Sequence, residues 1–390
     1  MADLSRITRI QEALAARGLD GWLFYDHHHR DPIAYRVLGL APNAMVTRRW
    51  FYLLPAEGQP VKLVHRIEQA QLDSLPGRKL VYSSWQELGG ALEEMLRGRR
   101  RLAMQYSPNN LIPYIGLVDA GTIEMVRSLG AEVVSSADLV QAFEARWSPE
   151  ALASHLEAGQ AIDEIIRLTF AEIGRRAPTD EFTMQQFILE KFDAAGLITE
   201  EPPIVAVNQN SGNPHYGPRP GASAPIRQGD FVLLDVWARK NRPGTVYYDV
   251  TWVGFLGPAP PGRLQEIFEM VREARDTGVR FVAEAVRGGR PLRGWEVDDA
   301  VRGFIRAGGY GDFFPHRTGH SIGEAVHGNG ANMDNLETRD DREIIPGTCF
   351  SIEPGIYLPE FGVRSEVNVY VDEREARVTG AIQREIVRIG

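Results

Sequence analysis

Two pairs of acidic residues, each flanking a turn, constrain the fold of this 390-residue chain more than any other feature. Asp235 and Asp249 lie in β-rich segments on either side of residues 240–244, which are rich in turn formers. The two aspartates are mirror positions about Arg242, so a hairpin centred there would place them side by side on one face. The sequence therefore predicts a β-hairpin that presents two carboxylates together.

A second acidic pair repeats this arrangement farther along the chain. Glu353 ends one β-rich segment, Glu366 begins another, and residues 359–362 form the turn between them. The two glutamates are nearly mirror-related about this turn. Strand alternation also places Arg364 on the same face as Glu366 and aims it into the same cavity. Two hairpins are thus predicted to gather four carboxylates and a guanidinium.

Three of the nine histidines, His316, His320 and His327, lie in one short segment. The spacing of His316 and His320 resembles a zinc-binding helix face, but the glycine and threonine residues between them disfavour a helix. No glutamate follows His316 as the zinc-protease motif requires. The segment is therefore predicted to be loop and strand. His215 follows another predicted strand, in a loop rich in Asn, Gly and Pro.

The four carboxylates would need cations if they converge on one point. Alone they would repel one another and raise their own pKa values, whereas two divalent ions would balance four negative charges. Any one of these acids is more simply interpreted as a solvated carboxylate beside a turn, so the prediction depends on the combination. Oxygen-dominated ligands with one imidazole suit Mn²⁺ best, although Zn²⁺, Co²⁺ and Fe²⁺ also fit the donor set.

Residues 150–390 resemble the pita-bread metallohydrolases, a family that includes methionine aminopeptidase, aminopeptidase P, prolidase and the metal-free creatinase. Seven segments carry the resemblance in the order found in the family: residues 208–215, 234–235, 249–251, 294–298 with 307–311, 316–327, 352–357 and 363–366. The resemblance implies an α+β fold with a dinuclear site. Its metal ligands would be Asp235, Asp249, His320, Glu353 and Glu366, with Asp249 and Glu366 bridging the ions.

The resemblance also implies roles for the residues around the metals. Glu353 matches the family's general base and proton shuttle, and a hydroxide that bridges the two metals would be the nucleophile. His215 and His327 match histidines that steady the tetrahedral intermediate and position the substrate amide. His316 and Arg364 match substrate-binding residues of the proline-specific branch. For Arg364, an internal counter-ion for the surplus carboxylates is an equally open interpretation.

Three functional hypotheses follow. The leading one is a dinuclear metallopeptidase that hydrolyses Xaa-Pro amide bonds, of the aminopeptidase P or Xaa-Pro dipeptidase type. The second keeps the metals but makes the substrate a small osmolyte-like molecule, cleaved by a non-peptide C–N hydrolase or lyase; Ser321, Trp252 and an extended hairpin tip depart from the family pattern and leave this open. The third is a non-catalytic binding module, which the intact ligand set disfavours.

Length and composition predict two domains in a globular protein, with 43% apolar and 24% charged residues. Ser148 can cap a helix that begins at Pro149, which predicts a boundary there. Residues 148–390 would form the C-terminal pita-bread catalytic domain. Residues 1–147 would form a creatinase-like N-terminal α/β domain, with a hairpin of residues 50–54 and 61–65. By resemblance this domain mediates a homodimer and completes the neighbouring active site.

The remaining features bound the partners and the location. A net charge of −9 disfavours nucleic acid and anionic membranes as partners. The small peptide expected as a partner is what the resemblance implies. A single cysteine, Cys349, no long apolar run and no signal-like N-terminus favour the cytoplasm. His27, His28 and His29 are interpreted as a polar loop; the alternative is a loop that reaches the partner subunit's pocket.

Overall fold

The structure is a computed structural model and describes residues 4–390. The chain forms two compact units, the first ending at Glu144 and the second running from Ala145 to Gly390. The sequence predicts the boundary slightly later, after Trp147.

The first unit is built on a six-stranded mixed sheet with the strand order β4-β3-β2-β1-β5-β6. Its strands are β1 (Gly21–Asp26), β2 (Trp50–Pro55), β3 (Val61–His65), β4 (Arg78–Tyr82), β5 (Arg101–Met104) and β6 (Glu132–Ser135). Its helices are α1 (Leu4–Ala16), α2 (Pro32–Leu38), α3 (Trp85–Leu96), α4 (Ala120–Ser128) and α5 (Ala137–Val140). The predicted hairpin of β2 and β3 is confirmed, because the two strands pair antiparallel with Tyr52 opposite Lys62.

Strand alternation gives this sheet a core on each face. In β1, Trp22 and Phe24 belong to a cluster that also contains Ile10 of α1 and residues of α2. Leu23 and Tyr25 belong to a second cluster with residues of α3 and α4. The sheet is therefore covered by helices on both faces, as expected for an α/β layer arrangement.

The histidine tract lies in the loop that follows β1. His28 and His29 have positive φ angles of 62° and 57°. The Asp26 carboxylate holds the loop, because it accepts backbone hydrogen bonds from His29, Arg30 and Asp31. His29 Nε2 lies 2.7 Å from the carbonyl oxygen of Ala44.

The second unit contains long helices and short, mostly antiparallel strands. Its helices are α6 (Pro149–Arg176), α7 (Glu181–Ala194), α8 (Gly262–Arg287) and α9 (Gly294–Ala307). Its strands are β7 (Thr179–Asp180), β8 (Leu197–Ile198), β9 (Ile204–Val207), β10 (Pro225–Ile226), β11 (Phe231–Lys240), β12 (Tyr248–Leu256), β13 (Ser321–Ile322), β14 (Thr348–Ile352), β15 (Gly355–Tyr357), β16 (Gly362–Arg364), β17 (Val367–Val371), β18 (Ala376–Thr379) and β19 (Val387–Ile389).

Two sheets of this unit position the predicted carboxylates. One has the order β19-β12-β11-β8, with β9 also paired to β11, and the other has the order β13-β14-β17-β18. Two further two-stranded sheets join β10 to β7 and β15 to β16. The segment 316–327 is loop followed by β13, which confirms the prediction that it is not helical.

Helix α6 begins where the sequence predicts. Ser148 caps it by accepting a hydrogen bond from the backbone N–H of Ala151 at 3.2 Å, and Pro149 occupies the first turn. Its apolar stripe packs in one cluster with residues of β11 and β12. Gly159 permits this close approach, because a Cβ there would lie 2.8 Å from the ring of Tyr248. In residues 4–390, no helix combines the length and the apolar character that crossing a bilayer demands.

Candidate metal centre

The first hairpin places its two aspartates on one face but not opposite each other. β11 and β12 pair antiparallel, with Asp235 opposite Thr251 and Asp249 opposite Trp237. The hairpin is therefore centred on Pro243, one residue beyond the predicted centre. Each residue of β11 is therefore paired with a residue two positions later in β12 than predicted. A shift of two residues leaves Asp235 and Asp249 on the same face of the hairpin. The aspartates are diagonal neighbours, and the predicted direct pairing is wrong.

Contacts at the hairpin tip account for the shift. The Thr245 hydroxyl lies 2.6 Å from the carbonyl oxygen of Lys240 and 2.8 Å from that of Arg242. Gly244, just before it, has a φ of +73°, which favours glycine. The tip is thus an asymmetric loop folded over its first strand, and the symmetric turn expected from composition does not form.

The second acidic pair lies between two β-ladders. Ile352 pairs with Val367 on one side, and Gly355 pairs with Arg364 on the other. The same register runs through the gap and places Glu353 opposite Glu366, as their mirror positions in the sequence predict. The break in regular pairing frees both side chains to turn toward the first hairpin.

His320 enters the cluster at the edge of β14. Its backbone N–H donates to Ser351 Oγ at 3.0 Å, and its carbonyl accepts from the Ser351 N–H at 2.9 Å. Gly319 makes this approach possible, because a Cβ there would lie 1.9 Å from the Ser351 carbonyl oxygen. Position 319 therefore requires glycine, because any larger residue would clash with the backbone of β14.

Three of the five predicted ligands meet at one point, and the other two lie beside them. Ligand atoms of Asp249, His320 and Glu366 lie within 4.8 Å of one another. His320 Nε2 lies 3.4 Å from Asp249 Oδ2 and 3.4 Å from Glu353 Oε1. Asp235 is linked to Glu366 through the Thr251 hydroxyl, which lies within hydrogen-bond distance of both carboxylates. The side chains are buried apart from Glu353, which is partly exposed. That all five residues bind metal stays a prediction.

Three carboxylates of the cluster have raised pKa values. Burial, followed by the charge of Glu353, raises the pKa of Asp249 well above its usual value. Burial and the neighbouring carboxylates Asp249 and Glu353 do the same to the pKa of Glu366. Burial raises the pKa of Asp235 to about 6, against the opposing charge of Arg364. Additional positive charge would therefore favour the ionised forms of these acids.

Glu353 behaves differently from the other acids. Burial raises its pKa, but the charges of His320, His316 and Arg364 outweigh burial and lower it. Its Oε1 accepts a hydrogen bond of 3.0 Å from Ser351 Oγ. Glu353 is thus the carboxylate of the cluster that ionises most readily.

The donor set fits divalent cations. Glu366 Oε1 is buried and has no hydrogen-bond partner in the described part of the chain, so one carboxylate oxygen faces the cluster unsatisfied. Hard carboxylate oxygens with a single imidazole form a ligand set suited to Mn²⁺, Zn²⁺, Co²⁺ or Fe²⁺. The raised pKa values of Asp235, Asp249 and Glu366 show that the positive charge near these carboxylates does not offset their burial, and bound cations would supply more.

Arg364 lies inside the cluster as a counter-ion. Its guanidinium forms an ion pair with Asp235 and approaches Glu353 Oε2 at 3.9 Å. It also donates to Thr251 Oγ1 at 3.0 Å and to the Tyr357 hydroxyl at 3.1 Å. The sequence left two interpretations of Arg364 open, a substrate-binding residue and an internal counter-ion. The contacts present are those of an internal counter-ion.

His316 contacts the same tyrosine. Its Nε2 lies 2.7 Å from the Tyr357 hydroxyl, and its Nδ1 lies 2.8 Å from the Arg317 carbonyl oxygen. Burial lowers the pKa of His316 to about 4, so the ring is neutral near pH 7. The Tyr357 hydroxyl therefore links His316 to Arg364.

His327 and His215 lie at the more exposed side of the cluster. The His327 ring packs edge-on against His320, with the ring centroids 4.4 Å apart. The charge of His320, followed by burial, lowers the pKa of His327 to about 3, and the charge of His215 contributes to the same shift. His215 is exposed, and its backbone N–H donates to Asn213 Oδ1.

Several residues that hold the cluster were not assigned roles from the sequence. The Thr251 hydroxyl lies 2.9 Å from both Asp235 Oδ1 and Glu366 Oε2. Asn368 clamps the backbone of Asp249, since Oδ1 accepts its N–H at 3.0 Å and Nδ2 donates to its carbonyl. Strand alternation could have found Asn368, which lies two residues after Glu366. Alternation also places Thr251 on the face of Asp249, and only its contact with Asp235 required the correct hairpin register.

Two departures from the family pattern do not open the pocket. Trp252 follows Thr251, so alternation turns it to the opposite face, where it packs against the apolar cluster under α6. The Ser321 hydroxyl accepts a hydrogen bond of 2.9 Å from the Gly330 N–H. Ser321 therefore holds the loop after His327, and Trp252 does not line the site.

The geometry defines a class of protein: an α+β pita-bread fold with a central cluster of four carboxylates and one histidine. Residues 153–373, more than half of the chain, match Metallopeptidase family M24. The chain belongs to this family. The resemblance inferred from the sequence motifs is thereby confirmed.

Relatives and solved structures agree with this placement. The chain is 30% identical over 234 residues to a putative Xaa-Pro aminopeptidase of Mycoplasma pneumoniae, covering 58% of this chain and 60% of that one. It is 31% identical over 226 residues to an Xaa-Pro dipeptidase of Lactobacillus helveticus, covering 56% and 55%. The matched region is thus less than two thirds of either relative's length.

The structural likenesses extend over nearly the whole chain. Dipeptidase PepE from Mycobacterium ulcerans superposes with a TM-score of 0.72 at 22% identity, covering 99% of this chain and 97% of that one. Prolidase from Thermococcus sibiricus superposes with a TM-score of 0.65 at 23% identity, covering 98% of both. At this identity the likeness establishes the pita-bread fold.

Proposed function

We propose that this protein is a metal-dependent peptidase that hydrolyses Xaa-Pro amide bonds, of the aminopeptidase P or Xaa-Pro dipeptidase type. The observation that carries the proposal is the convergence of Asp249, His320 and Glu366, whose ligand atoms lie within 4.8 Å of one another in a buried cluster. Membership of family M24 and relatives named Xaa-Pro dipeptidase and Xaa-Pro aminopeptidase support the reaction and the substrate.

The proposed cofactors are two divalent metal ions, with Mn²⁺ as the first choice. Asp235, Asp249, His320, Glu353 and Glu366 would hold them. When bound, such ions supply Lewis acidity, which makes water more acidic and polarises a carbonyl group. The two charges would also allow the acids of the cluster to ionise together.

Glu353 is the proposed general base. The pKa of Glu353 is lowered, so its carboxylate is ionised near pH 7 and has a free lone pair that can accept a proton from the attacking water. The hydrogen bond from Ser351 Oγ to Oε1 fixes the orientation of the carboxylate. The same oxygen atoms can then deliver the proton to the leaving nitrogen, which needs it to depart as an amine.

His327 and His215 are the proposed stabilisers of the tetrahedral intermediate. The pKa of His327 is lowered, so its ring is neutral and carries one N–H that can donate to the developing oxyanion. His316 and Arg364 are the proposed substrate-binding residues, and the Tyr357 hydroxyl between them ties their positions together. Because Arg364 also neutralises Asp235, it would serve both the cluster and the substrate.

The test is steady-state hydrolysis of Ala-Pro and of an Xaa-Pro-Pro peptide after loading with Mn²⁺, with Ala-Leu as the proline-free control. We expect turnover of a proline peptide and little of Ala-Leu. The Asp249→Asn variant should lose both the metal and the activity, whereas Glu190→Gln on the exposed face of α7 should keep both. Stoichiometric metal without turnover of any peptide would contradict the proposal and point to a non-peptide C–N substrate.

The proposal extends to assembly and location. The protein would act as a cytoplasmic homodimer, with residues 1–147 as the dimerisation domain and residues 148–390 as the catalytic domain. The lone cysteine, Cys349, is buried in β14 and suits a reducing compartment. Light scattering after size exclusion should give twice the chain mass of 43.5 kDa, and a single-chain mass would contradict the dimer.

A further inference from the structure

Glu181 is a fully buried acid that the proposed chemistry does not use. It is the first residue of α7, with 0% of its surface exposed. Glutamates are almost never fully buried unless their charge is satisfied. The five hydrogen bonds to its carboxylate all come from uncharged donors. The arrangement of these donors along the chain indicates its role.

The donors lie just before, within and at the end of one long loop between β9 and β10. Val207 N–H donates to Oε1 at 2.8 Å, and Asn210 Nδ2 contacts both oxygens at 2.9 and 3.1 Å. The Tyr216 hydroxyl donates to Oε2 at 2.5 Å, and Ala224 N–H donates to Oε2 at 2.8 Å. One carboxylate therefore gathers the loop of residues 208–224, which we call the His215 loop.

Helix α7, which carries Glu181, is capped at its start and packed against the core. Asp180 caps α7 by accepting a hydrogen bond from Thr183 N–H at 2.9 Å. Apolar residues of the helix, Met184, Ile188 and Phe192, are buried in the core under α6. A negative charge at a helix N-terminus is also favoured by the helix dipole. The helix that carries Glu181 is thus anchored in the core of the second unit.

The loop itself has little regular structure. A short 3-10 turn covers Asn208–Gly212, and residues 213–224 contain neither helix nor strand. Next to His215, the hydrogen bonds from His215 N–H and Tyr216 N–H stay local and end on Asn213. The Tyr216 hydroxyl joins this stretch to α7 through Glu181. Burial and the negative charge of Glu181 raise the pKa of Tyr216, so its O–H remains a donor.

We propose that Glu181 is a positioning residue whose buried carboxylate tethers the His215 loop to α7 and thereby places His215 for the reaction. This inference rests on the proposed function for the role of His215 in turnover, but the tether itself can be tested without turnover. A bond network of this kind matters because a shift of about 1 Å in a positioned group can cost about 100-fold in rate.

The principal variant is Glu181→Gln. A glutamine amide replaces one acceptor oxygen with an NH₂ group, so it would meet the donors of Asn210, Tyr216 or Ala224 with another donor. We expect faster hydrogen exchange in residues 208–224 and unchanged bound metal. We also expect kcat to fall about 10- to 100-fold with a smaller change in KM, since His215 acts after binding. Glu190→Gln, on the same helix with its side chain 74% exposed, is the matched control and should change none of these.

Tyr216→Phe is a milder second variant, because it removes one hydrogen bond and leaves the carboxylate in place. It should speed exchange around residues 213–218 and lower kcat by a smaller factor. If Glu181→Gln does not fold, Tyr216→Phe decides the matter. If hydrogen exchange in the loop is unchanged in either folded variant, the proposed tether is refuted. This outcome does not depend on whether the wild-type protein hydrolyses peptides.

A double-mutant comparison separates positioning from a general loss of structure. If Glu181 acts through His215, Glu181→Gln should lower kcat much less in a His215→Ala background than in the wild-type protein. Equal losses in both backgrounds would overturn the assignment to His215. A wild-type protein that turns over no peptide would refute the proposed function, and the exchange data would still decide on the tether.

Discussion

The Nε2 atom of His320, just before β13, lies 3.4 Å from Oδ2 of Asp249 in β12, although β13 and β12 belong to different sheets. Asp249 is held from behind by Asn368, and His320 is held by Ser351. Both supports are uncharged hydrogen-bonding side chains from β14 and β17. The ligand geometry is therefore fixed by the packing of one sheet against the other, and the supporting residues should matter for metal affinity.

Thr251→Val should weaken metal binding. The Thr251 hydroxyl contacts Asp235 Oδ1 and Glu366 Oε2, so valine keeps the shape but leaves both carboxylates less restrained. We expect metal affinity to fall about 10- to 100-fold, measured by titration with Mn²⁺. Thr169→Val, a buried threonine of α6 bonded to the Ile165 carbonyl, is the matched control. Equal affinities for the two variants would contradict the supporting role of Thr251.

Metal removal should destabilise the second unit. Burial and mutual repulsion raise the pKa values of Asp249 and Glu366, and bound cations would relieve this repulsion. At a free metal concentration 100 times the Kd, the gain in unfolding free energy is about 2.7 kcal/mol. Melting temperatures measured with Mn²⁺ and with EDTA should differ accordingly. Glu366→Gln should melt at the same temperature in both, and a wild-type protein that does so would argue against a metal site.

The pH dependence of stability should reveal His155. This histidine is 0% exposed, and its ring nitrogens lie 2.6 Å from the Tyr247 carbonyl oxygen and 2.6 Å from Thr379 Oγ1. Burial lowers its pKa from 6.5 to about 4. Between these values the unfolded chain binds the extra proton, so stability is lost as pH falls from 6.5 toward 4. The loss is on the order of 3 kcal/mol.

The measurement is urea unfolding between pH 4 and pH 7. His155→Gln should be less stable at pH 7, and its stability should depend less on pH in this window, because the titrating group is gone. A variant with the wild-type pH slope would show that other groups produce the loss.

The buried pair of Asp298 and Arg302 should be costly to break. Arg302 Nη2 lies 2.9 Å from Asp298 Oδ1, and Asp298 also accepts hydrogen bonds from the backbone and the hydroxyl of Thr318. Asp298→Ala leaves the guanidinium buried without its partner, which should cost about 3–5 kcal/mol of unfolding free energy. Glu164→Ala, which breaks an exposed pair on α6, should change the urea midpoint very little. Similar midpoints for both variants would contradict this difference.

Local features of the fold could be predicted because their causes are local. The cap at Ser148 starts α6 through a contact within three residues. The hairpins could be located because turn formers separate β-rich segments. The faces of the acidic residues followed from strand alternation, which survives a shift in hairpin centre.

Contacts between distant segments could not be predicted in the same way. The register of β11 and β12 depends on how Thr245 folds the tip, and this register is what brings Thr251 to Asp235. Glu181 gathers donors that lie 26 to 43 residues away, and no spacing rule marks such a partner.

The sequence by itself determined the chemical character of this protein: which acids share a strand face, which histidines accompany them, and which family pattern they form. These features repeat at the short periods of strands and helices, so they can be seen in the order of residues. Only the tertiary structure decided which atoms meet. Distances between side chains on separate sheets depend on register and packing, where one residue of shift exchanges neighbours while local preferences stay the same.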